Sequence, residues 1–463
     1  MKPRTEKSEP LDAHGVPYIG LDDVEAHTTK LIGSKDSATM KSSAKNFYKG
    51  DVLYSRLRPY LNKVWLADRE GLCSAEFIVL PQNEWIDGHF LKYRLNSRDF
   101  VMFANSLNAG DRPRVDFDQI SSFILPPFSL AYQRTVVAKI EELFSELDAG
   151  IESLKTARAQ LKIYRQALLK HAFEGKLTEQ WRKDHADQLE SADQLLARVT
   201  KERLEASTKE AERPREAEDL NIPSWWAIAS IDLVTREASI GLVRSAELQN
   251  FDGTGVSYIK MDRVNMDGAI DLNPEVYVPC DKNEVIRYQL EKGDILFNTR
   301  NSVELVGKIG IVSIQPTQPT VFNNNLMRIR VVGSVLPEFL NYQMCSPEFR
   351  ARMEKVKKAT TSVAAVYGKD LKPLPIVLPS VLEQQEIVRI LEEKLSEVVH
   401  LQQDIESQLI LSEALRQSIL KKAFSGQLVA QDPADEPASV LLARIRAERE
   451  NVAKSGSKKI LRR

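Results

Sequence analysis

Basic and amide side chains gather in loops where they could hold a phosphate backbone or the edges of bases. The stretch RARMEKVKKATTS (350–362) has five basic residues among its first nine, and three hydroxyl residues follow them. Such a set suits phosphate contacts at a helix end. Arg and Asn pair with guanine and adenine edges. They occur in SRLRPYLNK (55–63) and NTRNSVELVGK (298–308), and GDRPR (110–114) adds further arginines.

These loops provide the candidate nucleic-acid contacts. Any one such loop is as readily a solvated surface, but their recurrence at equivalent places in two halves of the chain favours binding. The candidates are Arg56, Arg58, Lys63, Arg112, Arg114, Arg300, Asn301, Lys308, Lys357, Lys358, Thr360, Thr361 and Ser362.

Motifs for catalysis are missing from the sequence. No Gly-x-Gly-x-x-Gly follows a strand pattern, no Gly-Lys is followed by Ser or Thr, and the six histidines lack metal-ligand spacing. Glu392-Glu393-Lys394 resembles part of a nuclease motif but lies on a predicted coiled-coil helix. We therefore expect a non-catalytic chain with no metal and no cofactor of its own.

Composition places the chain in a broad class. Net charge is −1, so only a local basic face could attract a polyanion. Three scattered cysteines (Cys73, Cys280 and Cys345) favour a reducing cytoplasm over a disulfide framework. No apolar run reaches membrane-span length, and MKPRTEKSEPLD is no signal peptide. We expect a cytoplasmic protein with no membrane contact.

The sequence repeats itself. A chain of 463 residues is too long to fold around a single hydrophobic core, so several domains are expected. Several stretches of its first half recur in the same order in the second half. Chance explains such collinearity poorly, so we infer two copies of one unit. The matches are VPYIGLDDVE (16–25) with VSYIKMDRVN (256–265), GDVL (50–53) with GDIL (293–296), HFLKYRLNSRDF (89–100) with EFLNYQMCSPEF (338–349), LPPFSLAYQRTVV (125–137) with LPSVLEQQEIV (378–388), QALLKHAFEGKL (166–177) with QSILKKAFSGQL (417–428), and LLARV (195–199) with LLARI (441–445).

Each copy ends in a long helix with a coiled-coil seam. Apolar residues alternate at spacings of three and four, interrupted by polar residues that include Arg165 and Arg416 at equivalent positions. About 40 residues would span roughly 60 Å, and Gly175 and Gly426 suit left-handed C-caps. We predict antiparallel packing of the two helices on each other; separate homodimerisation is the alternative. The seam residues, for helix packing or partner docking, are Val137, Ile140, Phe144, Leu147, Ile151, Leu154, Leu161, Leu168, Val388, Leu391, Leu395, Val398, Ile405, Leu409 and Ile419.

The predicted fold class is α+β, with two pseudo-symmetric globular domains joined by two long antiparallel coiled-coil helices. Strand patterns such as GDVLYSRLRP and amphipathic helix patterns such as FLKYRLNSRDF occur in each globular part. The boundaries are a shortened first domain (1–130), a first long helix (131–176), a charged and exposed helical linker (177–220), a second domain (221–381), a second long helix (382–427) and a charged tail (428–463).

These motifs resemble the specificity subunit of type I restriction-modification systems over nearly the whole chain. The resemblance rests on Gly-Asp-Val/Ile-Leu, on Leu-Pro followed by Gln-x-x-x-Val, on the two helix ends, and on KIEELFSELDAGIESLKTAR (139–158). It implies a prokaryotic subunit with two target recognition domains, each reading one half of a split double-stranded DNA sequence. The long helices would set the gap between the halves.

The resemblance also implies partners. Two methyltransferase subunits would dock on the helices and methylate adenine from S-adenosylmethionine, and restriction/translocase subunits would add ATP- and Mg²⁺-dependent cleavage. Two alternatives stay open: a system that only methylates, and a non-catalytic protein–protein scaffold.

Two departures from the family pattern concern the first copy. IPSWWAIASIDLV (222–234) resembles the usual opening of a recognition domain but has no counterpart before VPYIG (16–20). The first copy also has two extra residues in LPPFSLAYQ and lacks the Glu-Gln pair that the second copy keeps as Glu383-Gln384. We expect a shortened first domain and an altered entry into the first long helix.

Overall fold

The computed structural model describes residues 2–9, 15–40, 42–107, 110, 112–207, 209–215, 220, 222–360 and 362–460. It divides into two compact units. Unit 1 comprises Met1–Thr156 and Ile405–Arg463, and unit 2 comprises Ala157–Asp404. Among the described helices, none combines the length and apolar character needed to cross a membrane.

The globular part of unit 1 mixes short strands with short helices. Its sheets have the strand orders β1-β4-β7-β2-β3 and β6-β5-β8. The elements are β1 (Lys7–Ser8), β2 (Pro17–Ile19), β3 (Lys35–Asp36), β4 (Ala44–Phe47), β5 (Val52–Ser55), β6 (Val64–Leu66), β7 (Gly71–Cys73), β8 (Phe77–Leu80), α1 (Gly88–Asn96), α2 (Arg98–Ser106) and α3 (Phe117–Ile120), followed by the long helix α4 (Leu130–Phe173).

Unit 2 has the same mixed character. The elements after α4 are α5 (Glu179–Asp184), α6 (Ala192–Ala206), β9 (Ala227–Ser230), α7 (Ile231–Val234), β10 (Thr235–Ile240), β11 (Val256–Ile259), β12 (Gly268–Ala269), β13 (Tyr277–Val278), α8 (Lys282–Tyr288), β14 (Ile295–Asn298), β15 (Arg300–Asn301), β16 (Ile309–Ile311), β17 (Thr320–Phe322), β18 (Leu326–Val331), α9 (Pro337–Cys345), α10 (Pro347–Val356), β19 (Lys358–Ala359), β20 (Ala364–Ala365), α11 (Gly368–Leu371), β21 (Pro375–Leu378) and the long helix α12 (Val381–Phe424). Its sheets have the orders β10-β18-β14-β16-β12, β13-β11-β17, β15-β20-β19 and β21-β9. The last helix of the chain, α13 (Ala438–Ile460), begins within unit 1.

The repeated Gly-Asp pair makes the turn into the central strand of each globular part. Gly50 and Gly293 have φ angles of 90° and 91°, in the left-handed region that favours glycine. The carboxylate of Asp51 accepts the backbone N–H of Tyr48 at 2.9 Å, and that of Asp294 accepts the N–H of Glu291 at 2.9 Å. Both aspartates are buried. The motif is therefore a structural turn that starts β5 and β14.

The two long helices pack antiparallel within each unit, as predicted. In unit 1, Val137 and Phe144 near the start of α4 share an apolar core with Ile419 near the end of α12. In unit 2, Leu168 near the end of α4 shares a core with Leu391 near the start of α12. All fifteen predicted seam residues are buried or half-buried. Burial of this seam, rather than intrinsic helix propensity, stabilises helices of 44 residues each.

Both helices end at glycines in the left-handed conformation, as predicted. Gly175 and Gly426 each have a φ of 74°. The N–H of Gly175 donates to Ala172 and that of Lys176 to His171, so carbonyls of the last turn are paired. A Cβ at position 175 would also lie 2.4 Å from Pro223. Both conformation and space therefore require glycine there.

The seam arginines are buried but take different partners. Arg165 donates from Nη2 to the carbonyl of Asp267 at 2.7 Å, and its Nε lies 3.3 Å from the Asp267 carboxylate. Arg416 pairs with Asp148 on α4 and lies over the ring of Phe144, 4.4 Å from its centroid. Since neither charge is left unpaired, the polar breaks in the seam are tolerated.

A buried glutamine anchors the start of each long helix to its globular part. Gln384 is fully buried, and its Nε2 donates to the carbonyls of Ser334 and Pro379 at 3.2 and 3.0 Å. Its Oε1 accepts the N–H of Leu336 at 2.9 Å. In unit 1, Gln133 makes the equivalent bonds to the carbonyls of Trp85 and Phe128 and to the N–H of Asp87. Each side chain thus satisfies three backbone groups of the globular part and the helix entry.

The charged segment after α4 is not the exposed linker that its composition predicts. Its helix α6 buries Leu195 and Val199 in the core of unit 2, and Glu202 accepts the N–H and hydroxyl of Ser334 at 2.8 and 2.6 Å. The buried Arg203 donates from Nε to the carbonyl of Asp232 at 3.0 Å. Many of the charges face solvent while one apolar stripe packs inward. The amphipathic spacing within LLARV therefore outweighs the overall charge of the segment.

The glutamine anchor generates a stability prediction. Gln384→Ala leaves two carbonyls and one N–H without their partner, so we expect a loss of about 2–4 kcal/mol in the free energy of unfolding. Urea unfolding of the full chain, followed by tryptophan fluorescence, measures the loss. The adjacent Gln385 is exposed, so Gln385→Ala is the matched control and should stay within about 0.5 kcal/mol of the parent. Equal stability of the two variants would contradict the anchor.

A second prediction concerns acid. Burial alone would raise the pKa of Asp148, but the adjacent Lys30 and Arg416 outweigh it and hold that pKa below its usual value. Because the folded-state pKa is the lower one, the ionised carboxylate stabilises unit 1 at neutral pH, and this stabilisation disappears as the pH falls through the lowered pKa.

Asp148→Asn should therefore cost ~1 kcal/mol at neutral pH, since a partly exposed pair is screened by solvent. The difference from the parent should shrink as the pH falls through the lowered pKa of Asp148 and vanish at still lower pH. Urea unfolding across a pH series tests this, with the exposed Asp118→Asn as the control. A destabilisation by Asp148→Asn that does not change with pH would count against the charge pairing.

Candidate nucleic-acid interface

In unit 1 the backbone brings the two predicted basic loops side by side. Leu57 and Arg114 form an antiparallel bridge. The N–H of Arg58 donates to the carbonyl of Pro113 at 2.8 Å, and the N–H of Val115 donates to the carbonyl of Arg56 at 3.0 Å. The loop after β5 and the loop before α3 therefore form one surface.

Two arginines on this surface have no ionic partner among the described residues. Arg58 and Arg112 are exposed and make no ion pair within the part of the chain that the structure describes. Arg58 has a φ of 51° and precedes a short 3₁₀ turn, Pro59–Leu61. A non-glycine residue in this region costs on the order of 1–3 kcal/mol. Asn62, also left-handed, is buried and donates to the carbonyl of Asn96 at 3.1 Å, which holds the turn in place.

The other basic candidates in unit 1 already have protein partners. Arg56 pairs with Asp116, and Arg114 pairs with Glu76 at 2.7 Å. Lys63 donates to the carbonyl of Leu21 at 2.7 Å. These three residues shape the loops as well as charging them.

In unit 2 the equivalent loops form a small sheet, β15-β20-β19. Arg300 pairs with Ala365 and Asn301 with Ala364, and β20 pairs in turn with β19. The N–H of Val366 donates to the carbonyl of Thr299 at 3.0 Å. The predicted equivalence of the two regions therefore extends to backbone pairing, although the loop sequences differ.

The side chains of this sheet divide into exposed and engaged ones. Arg300 is exposed and has no ion pair among the described residues. Asn301 is engaged in its own turn, donating to Asn298 at 3.0 Å and accepting the N–H of Ser302 at 2.9 Å. The amide of the buried Asn298 donates to the carbonyl of Arg300 at 3.1 Å. These amides fix the course of the backbone beneath Arg300.

The basic stretch after α10 is partly engaged as well. Lys357 donates to the carbonyl of Val303 at 3.0 Å and pairs with Glu354. Lys358 lies 3.2 Å from Asp370 and over the ring of Tyr367, 5.5 Å from its centroid.

A hairpin turn follows these lysines. The Thr360 hydroxyl and N–H donate to the carbonyl of Val363 at 2.9 and 2.8 Å, and this closes the turn. Ser362 is exposed, and Thr361 lies outside the described residues.

Lys308 differs from the other candidates because its side chain is buried. Its relative exposure is 6%. Burial lowers the pKa of its ammonium, which Asp262 counters in part. The residue follows Gly307 at the turn into β16 and packs with the sheet.

Several residues that shape this interface escaped the sequence analysis. Glu76 carries no local signal, since its partner Arg114 is distant in the chain. Asp116 has one: its capping box with Gln119 marks the start of α3, although not its pairing with Arg56. Such partners appear only when the fold brings the loops together.

The exposed arginines of this arrangement suit binding to an anionic partner. Exposed guanidinium groups can bind phosphates or the O6 and N7 atoms of guanine. Across the described residues, no three His, Cys, Asp or Glu side chains converge to hold a metal ion.

Comparisons with known proteins agree with this architecture. A family model, the type I restriction modification DNA specificity domain, matches residues 245–409. The chain is 29% identical over 384 residues to the type I restriction enzyme EcoKI specificity subunit of Escherichia coli strain K12, covering 81% of this chain and 73% of the relative. It is 32% identical over 216 residues to the EcoDI specificity subunit of Escherichia coli, and this match covers 44% of this chain and 47% of the relative.

The fold has a solved counterpart. A chain from a structural study of complex assembly and conformational transition of the type I R-M system aligns with a TM-score of 0.69 and 20% identity, covering 92% of this chain and 95% of the other. The predicted α+β class, with two globular parts and two long antiparallel helices, is confirmed. Residues 245–409 thus match the type I restriction modification DNA specificity domain, and most of the chain is similar in sequence to type I restriction enzyme specificity subunits.

Proposed function

We propose that the chain is the sequence-reading subunit of a type I restriction-modification complex, and that each unit reads one half of a bipartite double-stranded DNA target. One observation carries this. In both units, the loop after the Gly-Asp strand pairs with the loop after the second short helix, and exposed arginine lies on the paired surface. The frame is shared and the loop sequences differ, as two readers of different half-sites require.

Within each surface, we assign reading and positioning to different residues. Among the described residues no acid pairs with Arg58, Arg112 or Arg300, and in this proposal these three arginines contact DNA. A guanidinium can bind guanine bidentately. Arg56 and Arg114, held by Asp116 and Glu76, would keep the loops in shape.

The two long helices would set the gap between half-sites and hold the partner subunits. The predicted seam residues are buried or half-buried, so docking would use other faces. Exposed apolar residues offer such a face, and they lie on α12 at Ile410, Leu411 and Leu415, with exposures of 66%, 58% and 52%. Exposed apolar clusters on a helix mark interaction sites more often than isolated ones do.

The chemistry would belong to those partners. In this proposal, two methyltransferase subunits dock on the helices and hold S-adenosylmethionine, while restriction/translocase subunits supply ATP- and Mg²⁺-dependent cleavage. This chain would contribute recognition and hold no cofactor.

The two-reader proposal predicts separable half-sites. We expect Arg58→Ala to relax base preference in one half of the target and Arg300→Ala in the other, each by about 1–3 kcal/mol at the affected base pair. The measurement is selection of bound duplexes from a random pool by this chain with its methyltransferase subunit. Arg69 is exposed and pairs with its neighbour Asp68 away from both loops, so Arg69→Ala is the control.

The outcomes discriminate between functions. A change in both halves from one substitution would reject independent readers. No enrichment of any sequence by the parent complex would favour a protein–protein scaffold. Selection of a split sequence without cleavage in the full complex would favour a methylation-only system.

The docking proposal predicts a defect in assembly alone. Leu411→Asp should weaken binding of the methyltransferase subunit by about 2 kcal/mol or more, roughly thirtyfold, because it places a charge in an apolar contact. Gln408 is exposed on the same helix, so Gln408→Asp tests the charge alone. Analytical ultracentrifugation of the mixed subunits gives the affinities. Equal effects of the two substitutions would argue against this docking face.

A further inference from the structure

In unit 2, residues 226–234 fill the space beneath α6. β9 pairs antiparallel with β21, with Ala229 opposite Ile376 and Ala227 opposite Leu378. Residues of β9 and α7 join the two apolar residues of α6 in one core: Trp226, Ala227, Ala229, Ile231, Val234, Leu195 and Val199. The strand β9 and the single-turn helix α7 thus lie between β21 and the apolar face of α6.

In unit 1, α13 repeats the apolar face of α6. LLARI (441–445) matches LLARV (195–199), and α13 follows α12 as α6 follows α4. Leu441 is buried, Ile445 is half-buried and Leu442 is 40% exposed. This face lines a groove of about 630 Å³ that has an apolar wall formed by Trp85, Ile86, Phe90 and residues 125–128, and polar or charged residues at Lys2, Asn83, Gln133, Arg446 and Glu448.

The edge beside this groove lacks a partner strand. Residues 123–127 precede α4 as β21 precedes α12, but they belong to no strand in the described part of the chain. Ile124 is 82% exposed, whereas β21 is buried throughout. A second apolar groove, of about 380 Å³, adjoins the first through Ile86 and Leu125.

We propose that this groove of unit 1 binds an extended apolar polypeptide segment with the chemistry of residues 227–234, AIASIDLV. The segment would add a strand along residues 123–125 and lay its apolar side chains against Leu441, Leu442 and Ile445. Unit 2 indicates the nature of the occupant. There, the strand β21 and the apolar face of α6, which correspond to residues 123–127 and to α13 in unit 1, enclose residues 227–234. This interaction is distinct from DNA reading and does not depend on it.

Two local differences define the ligand further. Pro126 and Pro127 have no N–H to donate, so pairing along this edge is shorter than the ladder of β9. In unit 2 the indole of Trp226 donates to Glu383 at 2.9 Å. Tyr132, the residue of unit 1 at the position of Glu383, carries no carboxylate and donates to the carbonyl of Val429 at 2.7 Å. The segment bound by unit 1 therefore needs no tryptophan at that place.

A peptide titration tests the proposal on the full chain. The probe is a fluorescein-labelled peptide of residues 224–234, and fluorescence anisotropy measures its binding. We expect saturable binding with one peptide per chain. A peptide with Trp226→Ala should bind within about twofold, whereas one with Ile231→Asp should bind at least about tenfold more weakly, because it buries a charge.

Matched variants of the chain locate the site. Leu442 lines the groove and is 40% exposed, while Val440, outside the groove lining, is 52% exposed. Both tolerate a charge without disturbing the core. Leu442→Asp should weaken peptide binding about tenfold or more and Val440→Asp should not. Thermal unfolding followed by circular dichroism confirms that both variants are folded.

Each outcome bears on the proposal. Loss of binding in Leu442→Asp alone supports it. No saturable binding to the folded parent chain overturns it, and so does binding that Leu442→Asp leaves unchanged. Sedimentation of the parent as a dimer that Leu442→Asp dissociates also overturns it, because a second copy would then cover the groove.

Discussion

A single buried carboxamide joins each long helix to its globular part. Gln133 and Gln384 each satisfy three backbone groups at the start of the helix, two carbonyls and one N–H. An amide has two donors and an acceptor on one rigid plane, so it holds all three groups at a fixed geometry. The direction in which the helix leaves its globular part is thereby set, and the seam that follows can meet its partner. The neighbouring residues vary between the units, Tyr132 in one and Glu383 in the other, while this anchor stays the same.

The candidate DNA interface likewise combines a backbone arrangement that is shared by the two units with side chains that differ between them. Backbone pairing between two loops recurs in both units, at Leu57 with Arg114 and at Arg300 with Ala365. Buried amides such as Asn62 and Asn298 support these loops from below. Side chains that face solvent can change without disturbing that support. One scaffold can accordingly present different surfaces in its two units, and the proposed reading of two half-sites would use that difference.

Long-period patterns in the sequence predicted much of the fold. The seam and the antiparallel pairing follow from repeated spacing, since a heptad pattern sustained over four heptads has few alternatives, and the glycine caps follow from the repeated helix ends. The equivalence of the basic loops in the two copies was predicted from their positions, whereas their pairing within each copy is visible only in the fold. Lys308 could not be anticipated as buried, because its burial depends on distant strands. The packing of α6 was missed for a related reason. Its charges dominate the composition, and two apolar residues decide where it lies.

The antiparallel arrangement has a consequence for synthesis on the ribosome. Unit 2 is one continuous stretch of chain, whereas the core around Phe144 in unit 1 is completed by Ile419 and Ala423, which are made last. At ordinary rates of elongation, the first globular part therefore waits on the order of tens of seconds for its closing helix. During that time, the apolar seam of α4 within unit 1 has no mate. The nascent chain thus passes through a long interval in which all residues of unit 2 have been synthesised while the core of unit 1 still lacks its C-terminal helix residues.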